Sequence, residues 1–384
     1  MQFEFATANR IIFGEGVLAQ VGLIASSFGE RALIVAGGGS VPLDALWGKL
    51  NSARIKSAVF QVQSEPDIPT VEAGIDLARK SGCEMVIGFG GGSVLDTAKA
   101  IAAMLTNPGN LMEYLEVVGA GKEISKPASP MMALPTTAGT GTEVTRNAVI
   151  ASPEHRVKVS MRGIKMIPTV ALVDPELTYS MPPSVTASTG MDALTQVLEG
   201  YVSNRANPMT DVVCREGIVR GAKSLLKAFQ YGQDKQARQD MCITSLFGGL
   251  ALANGGLGAV HGFAGPIGGM YQAPHGVICA SLLPYVMKYN VVALEKQEAQ
   301  LDIQARYLDI ARWVTADPRA GIDDGVAWFA ELANALNIPR LRTLGIRRED
   351  FDLIAEKSEV SSSMQKNPVK LDASFLKAIL EEAY

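Results

Sequence analysis

Two stretches of this chain repeat one arrangement. ALIVA (32–36) is a short apolar run that opens onto Gly37-Gly38-Gly39-Ser40-Val41, and EMVIGF (84–89) runs into Gly90-Gly91-Gly92-Ser93-Val94. A helical pattern follows each, PLDALWGKL in the first case and LDTAKAIAAML in the second. A continuous apolar run this short, closed by glycines and followed by helical periodicity, reads as a strand buried on both faces within a βα unit. Repeating that unit builds a parallel sheet, because parallel neighbours need a crossover. Right-handed crossovers bring the strands' carboxyl ends to one edge, where ligands bind. SAVFQV (57–62), MMALP (131–135), AVIAS (148–152) and TVALVD (169–174) are expected as further strands.

After Asp174 the texture changes. Pro182-Pro183-Ser184 reads as a helix start with Ser184 at the N-cap. Long helical patterns then follow: GMDALTQVLEGYVS, TDVVCREGIVRGAKSLLKAF, ARYLDIARWV, DGVAWFAELANAL and SFLKAILEEA. Strand signals nearly vanish. A length of 384 residues suits two domains, and the expected division is an α/β domain over 1–183 and a helical domain over 184–384. From Met241 to Met287 no Asp, Glu, Lys or Arg occurs. Glycine pairs at 248–249, 255–256 and 268–269, together with Pro266, Pro274 and Pro284, break that stretch. It also contains Asn254, His261, Gln272 and His275. Lipid tolerates such groups poorly without partners, so a closely packed protein interior is expected rather than a membrane span.

Composition excludes several function classes. Lys and Arg number 35 against 39 Asp and Glu, a net charge of -4 that argues against a nucleic-acid binder with a basic face. Cys83, Cys214, Cys242 and Cys279 are far apart and form no CxxC pair, which fits reduced thiols in a cytoplasmic protein. MQFEFATANRIIFGEG lacks the basic and apolar regions of a secretory signal.

Two loops carry the chemistry of phosphate binding. Gly88-Phe89-Gly90-Gly91-Gly92-Ser93 lies between a strand and a helix, where backbone amides and the helix dipole can hold an anion. It misses the last glycine of the G-x-G-x-x-G fingerprint. PTTAGTGTEVT (135–145) packs five threonines and two glycines into eleven positions after a strand, a density of hydroxyls and open amides that suits a polar ligand. Of the three histidines, His155 follows Glu154 in an expected surface turn and is assigned no role. His261 and His275 both fall in the uncharged stretch, where an unpartnered imidazole is costly. Asp192 and Gln196 are one helical turn apart and share a face.

GGGSVLDTAK (90–99), PTTAGTGTEVT (135–145), GMDALTQVLEGYVS (190–203) and GLGAVHGFAGPIGGMYQAPHG (256–276) together resemble the iron-containing (group III) alcohol dehydrogenases. The resemblance runs from IIFGEG near the start to NPVKL at 367–371. It implies an N-terminal Rossmann-like α/β domain and an all-α C-terminal domain, the architecture shared with dehydroquinate synthase, with a cleft between them. The implied activity is NAD(P)-dependent oxidoreduction, interconverting a small alcohol and its aldehyde or ketone by metal-assisted hydride transfer, in a protein that forms homodimers. By the same resemblance Gly91, Gly92 and Ser93 bind the pyrophosphate with Asp96 nearby. Thr136, Thr137 and Thr140 line the cofactor, and Lys158 reaches its ribose. NAD-preferring members usually carry an Asp at the end of the first strand of the GGGSV pattern. Gly38, Gly39 and Ser40 stand there instead, which favours NADP(H) over NAD(H).

Members of the family hold Fe²⁺ or Zn²⁺ with one Asp and three His. Asp192, His261 and His275 match three of those positions, Gln196 stands at the fourth, and Gly265 replaces a further His. Gln offers only a neutral carbonyl oxygen, which places zinc ahead of iron. Two accounts follow. In one, Asp192, His261 and His275 hold the metal with an open position for substrate, and all three are catalytic. In the other, tight metal binding is lost and the histidines act directly as hydrogen-bond donors or as general acid and base. Water, Tyr271 or a ribose hydroxyl are the proton routes left open. Phe263, Ile267 and Met270 suggest an apolar substrate slot. A dehydroquinate-synthase-like lyase is the alternative enzyme class, disfavoured because no Lys or Arg lies near the ligand positions. A nucleotide-binding protein with a degraded catalytic site is the other alternative.

Overall fold

The structure, a computed structural model, describes residues 2–38, 43–155, 157–271, 273–296 and 301–384, and the chain divides into two compact units. One comprises Ala6–Met181; the other comprises Pro182–Tyr384 with the N-terminal segment up to Phe5.

Among the described residues the first unit has eight strands: β1 Arg10–Phe13, β2 Arg31–Gly37, β3 Lys56–Val62, β4 Met85–Gly90, β5 Met131–Pro135, β6 Asn147–Ser152, β7 Val157–Arg162 and β8 Val170–Val173. Six form a parallel sheet in the order β1-β8-β5-β4-β2-β3. Alternate side chains divide between its two faces. Leu33, Val35, Val86, Met131 and Ala133 pack with helices Ile68–Lys80 and Gly92–Thr106. Ala32, Ile34, Ile87, Met132, Leu134 and Leu172 pack with helices Val21–Ser26 and Leu43–Ser52 on the other face. Burial on both faces is why these strands read as unbroken apolar runs. From β2 the chain moves outward to β3 and then returns to place β4 on the opposite side of β2, so the order reverses between β2 and β4. Open α/β sheets bind ligands at the carboxyl edge of such a reversal. Gly37-Gly38, Gly90-Gly91-Gly92 and Pro135-Thr136 all lie at carboxyl ends of the strands beside it.

The AVIAS segment departs from expectation. It forms β6, which pairs antiparallel with β7 in a separate two-stranded ribbon instead of joining the main sheet. Its residues alternate between half-buried and buried, whereas every residue of β4 is buried, and alternation is the mark of a one-faced antiparallel strand. Strands β1 and β7 and the helix Ile68–Lys80 were not expected. That helix starts at Asp67, whose carboxylate accepts the Thr70 amide hydrogen at 2.9 Å.

The second unit is helical. Its first helix, Pro183–Val202, has Pro182 in the cap position, so Ser184 lies inside the helix and is not the N-cap. Pro183 fits the first helical position because that residue's amide would have no intrahelical partner. Helices Pro208–Gln230 and Lys235–Asn254 pack against it. A side chain at Gly221 would put its Cβ 2.5 Å from Leu194 Cδ2, which is why the chain is bare there. The uncharged stretch runs through three helices, Lys235–Asn254, Ala259–Tyr271 and His275–Lys296. The first two meet at 93°, with Gly256 in the left-handed region at φ 78° in the turn. His275–Lys296 is long and apolar enough to cross a membrane, yet 72% of its apolar window is buried inside the protein.

Candidate functional site

The helix Pro183–Val202 carries Asp192, Gln196 and Glu199, at most 3% exposed, in successive turns of one face. His261 comes from the next-but-two helix and His275 opens the one after it, with Cys279 a turn further on. One ligand atom each from Asp192, His261, His275 and Cys279 lies within 4.8 Å of the others. His261 Nε2 is 3.3 Å and His275 Nε2 3.8 Å from Asp192 Oδ1, while Cys279 Sγ is 3.7 Å from His275 Nε2. The His275 side chain is 40% exposed, against 6% for His261 and 3% for Asp192, so the cluster opens on the His275 side.

Glu199 orients His261. Its carboxylate accepts the Val260 amide hydrogen at 2.6 Å and lies 2.7 Å from His261 Nδ1. A proton on Nδ1 satisfies that contact and leaves Nε2 facing Asp192 as a lone pair. Among the described residues, His261 Nε2 and Asp192 Oδ1 are buried without a hydrogen-bond partner despite their proximity. Two buried acceptors turned toward each other call for a cation between them. Without a metal, a proton meets that need. Burial would push the Asp192 carboxyl up, but the neighbouring His261 and His275 outweigh it and hold it below its ordinary value. Burial would likewise lower His261, and the nearby Cys279, Asp192 and Glu199 instead raise it well above the usual imidazole range.

Gln196 is tied to Asp192. Its Nε2 donates to Asp192 Oδ2 at 3.2 Å, and its carbonyl oxygen lies on the side of Gly248, where an added Cβ would come within 2.7 Å. The amide nitrogen holds Asp192 in place, while the carbonyl oxygen is buried without a hydrogen-bond partner among the described residues. An added Cβ on Gly265 would meet nothing within 4 Å, so the position of the relatives' further His is open space. The Tyr271 hydroxyl donates to Asp350 and accepts the Arg347 amide hydrogen, which removes it from the proton routes. Phe263 and Ile267 are wholly buried in the core; of the three residues expected to line a slot, Met270 alone keeps some exposure.

In the sheet unit, the structure brings the two loop motifs together. An added Cβ on Gly91 would lie 3.3 Å from Thr137, and one on Gly92 2.7 Å from Thr140 Cγ2. Bare glycines therefore let the threonine loop close over the start of the helix Gly92–Thr106, whose first amides, at Gly92 and Ser93, have no intrahelical acceptor. The Thr136 amide donates to Gly90 O at 3.0 Å and ties the loops edge to edge. Gly38 is exposed just after β2, and among the described residues nothing lies within 4 Å of where its Cβ would be. Gly39 and Ser40 lie outside the described residues.

Asp96 and Lys158 do other work than expected. Asp96 is 8% exposed, accepts the Val149 amide hydrogen at 3.0 Å and lies 3.6 Å from Lys99 Nζ, which fastens β6 to the helix. Lys158 is ion-paired with Glu65. His155 bonds Ser152 within its own turn at 2.8 Å. Sequence reasoning missed Lys99, although it closes the GGGSVLDTAK motif. Lys99 is fully buried, and its Nζ donates to Thr145 Oγ1 at 2.7 Å, Asn147 O at 2.6 Å and Thr145 O at 3.3 Å, pinning the far end of the threonine loop. Burial pulls its pKa down to about 8 against the pull of Asp96 and Glu143, and burial pushes Glu143 up to about 7.

A parallel sheet with glycine and threonine loops at its order reversal, in a chain whose helical unit brings an aspartate and two histidines together, fits a nucleotide-linked dehydrogenase with a metal site. Residues 8–175 match the family model described as iron-containing alcohol dehydrogenase, and residues 186–384 match that of the family's C-terminal region. The chain belongs to the iron-containing alcohol dehydrogenase family and is an oxidoreductase. It is 36% identical to alcohol dehydrogenase 4 of Saccharomyces cerevisiae over 97% of this chain and 96% of that one. It is 33% identical to an NAD-dependent methanol dehydrogenase of Bacillus methanolicus, covering 93% of each chain. It is 32% identical to an NADPH-dependent butanol dehydrogenase of Clostridium saccharobutylicum, covering 99% and 98%. Among solved structures, that of a 1,3-propanediol oxidoreductase aligns with a TM-score of 0.92 at 32% identity over the whole of both chains.

Proposed function

We propose that this chain is an NADP(H)-linked dehydrogenase that interconverts a small alcohol and its aldehyde or ketone, with a divalent metal held by Asp192, His261 and His275. The observation that carries the metal assignment is the pair of buried, unpartnered atoms, Asp192 Oδ1 and His261 Nε2, facing each other at 3.3 Å. Carboxylate and imidazole donors suit zinc or iron, and the resulting donor set fits either ion. When bound, the metal supplies positive charge that polarises a carbonyl oxygen, and a nicotinamide supplies or takes the hydride.

The protein's own part is orientation and charge. Glu199 fixes the His261 tautomer, and Gln196 holds the second oxygen of Asp192. The exposed side of His275 and the open space at Gly265 give water a way to exchange a proton with the site, a route that needs no relay side chain. In the sheet unit, the amides of Gly92 and Ser93 and the hydroxyls of Thr136, Thr137 and Thr140 suit the pyrophosphate and nicotinamide ribose.

The end of β2 supports NADP(H). No carboxylate stands at Gly37 or Gly38 to repel a 2′-phosphate. Relatives of either preference occur at about the same identity, so the proposed preference rests on this local chemistry. Gly38→Asp places a carboxylate in free space, and the ratio of kcat/KM for NADPH over NADH is expected to fall by roughly 10–100-fold, the worth of one repelled charge at a partly exposed site. An unchanged ratio would remove Gly38 from cofactor choice. The function itself is tested by loading the protein with Zn²⁺ or Fe²⁺ and assaying reduction of short aldehydes with both cofactors. One bound metal per chain with metal-dependent turnover is expected. Absence of both metal and turnover would overturn the reading.

A further inference from the structure

We propose that Cys279 is a ligand of the metal centre, supplying as a thiolate the fourth donor that Gln196 does not. The inference rests on the metal reading above and concerns which atoms complete the site. His275 and Cys279 are four residues apart on the helix His275–Lys296, so their side chains share one face. Cys279 is fully buried, unpaired with any other cysteine, and its Sγ is 3.7 Å from His275 Nε2.

Three of the six donor separations lie close to those between ligands around one zinc ion, and a substrate oxygen would be a fifth ligand on the open His275 side. Around one zinc ion with bonds of about 2.0–2.1 Å to nitrogen and oxygen and about 2.3 Å to sulfur, neighbouring tetrahedral ligands are separated by about 3.3–3.7 Å. The observed separations are 3.3 Å for His261 to Asp192, 3.8 Å for His275 to Asp192 and 3.7 Å for Cys279 to His275. All four donor atoms fall within 4.8 Å of one another. Independent support comes from the buried Asp192 Oδ1 and His261 Nε2, which lack partners among the described residues and face the same point. Gln196, by contrast, spends its amide nitrogen on Asp192 Oδ2.

Ligation requires the Cys279 thiol to release its proton to solvent as the metal enters, with the sulfur lone pair forming the new bond. A soft thiolate in place of a third imidazole turns the centre toward zinc or cobalt and away from hard cations such as Mg²⁺.

The test is reconstitution of the full-length protein with Co²⁺, whose absorption reports its ligands. The wild type is expected to bind one Co²⁺ and show an intense thiolate-to-cobalt charge-transfer band in the near ultraviolet above the weaker visible bands. Cys279→Ser and Cys279→Ala are each expected to keep the visible bands of bound cobalt and lose the ultraviolet one. Cys242→Ser, which changes a buried thiol on another helix, is expected to keep both. Zinc affinity measured by chelator competition is expected to fall by at least about tenfold in Cys279→Ser. Cobalt bound without a charge-transfer band in the wild type, or a band that survives in the folded Cys279 variants, would overturn thiolate ligation alone. Failure of the wild type to bind cobalt or zinc would overturn the metal reading and this proposal with it.

Discussion

Two of the buried polar clusters differ in how far they satisfy themselves. Around Lys99, an ammonium group donates to one hydroxyl and two backbone carbonyls and has the Asp96 carboxylate 3.6 Å away. Around Asp192, two facing acceptor atoms and the Gln196 carbonyl oxygen are left without hydrogen bonds among the described residues. Burying a charge is costly wherever it occurs. In the first cluster Asp96 Oδ1 also lacks a hydrogen bond among the described residues, but the Lys99 ammonium stands 3.6 Å from it, so a cation of the fold itself meets that cost and the charges fasten a helix to a loop and a strand. In the second the account is left open to something that comes from outside. Burial of charge by itself therefore does not mark a functional site.

The largest effect that would break this distinction is expected at Asp192. Asp192→Asn is expected to abolish stoichiometric metal binding and reduce kcat/KM by about a thousandfold, since metal charge is worth several kcal/mol to a developing alkoxide. Metal analysis and steady-state kinetics measure it; wild-type metal content in the variant would mean that Asp192 is not a ligand. The metal-free variant is expected to melt close to the metal-free wild type. Lys99→Met should do the reverse. Removing one partner of a buried charge cluster is expected to cost about 3–5 kcal/mol of stability, read from denaturant midpoints, with metal stoichiometry unchanged in the folded fraction. A loss of metal in a well-folded Lys99→Met protein would erase the contrast.

Glu199→Gln sharpens it further. The amide keeps the shape and loses the charge that orients His261, so metal affinity is expected to fall about 10–100-fold while the fold persists. Equal affinity in chelator competition would reduce Glu199 to a helix contact. The smallest effect concerns pH. Glu143 keeps a proton up to about 7 in the folded chain and gives it up near its ordinary 4.5 when unfolded. The folded state binds more protons between those values, so this group's contribution to stability falls as pH rises through that window and is constant above it. Glu143→Gln is expected to gain about 1–3 kcal/mol relative to wild type between pH 4.5 and 7, measured by urea unfolding at each pH. A pH-independent difference would mean that burial does not perturb this carboxyl.

Legibility in the sequence followed burial. Strands β2, β3, β4, β5 and β8 could be read because most of their residues are apolar, and the long helices because their periodicity survives without context. β1 and β7 could not, since each exists by pairing with β8 or β6 and carries little local signal. The placement of AVIAS in a separate ribbon was equally a tertiary outcome. At the site, Asp192, His261 and His275 were visible through their motifs. Glu199 stood in plain view inside GMDALTQVLEGYVS without a role, because nothing local says that its carboxylate meets a histidine 62 residues later. Lys99 was hidden for the same reason; its acceptors are 46 and 48 residues away.

The sequence by itself determined the family, the parallel sheet with its glycine and threonine loops, the helical second half and three residues of the proposed metal site. Those features are written in short motifs and in burial periodicity, and both are local. The tertiary structure decided which atoms face one another. It set the Gln196 amide nitrogen against Asp192 and Glu199 against His261, committed Tyr271 to Asp350 and brought Cys279 Sγ to 3.7 Å from His275 Nε2. Hydrogen bonds and coordination depend on differences of less than an ångström between groups on separate helices, and only the packing of those helices fixes such distances.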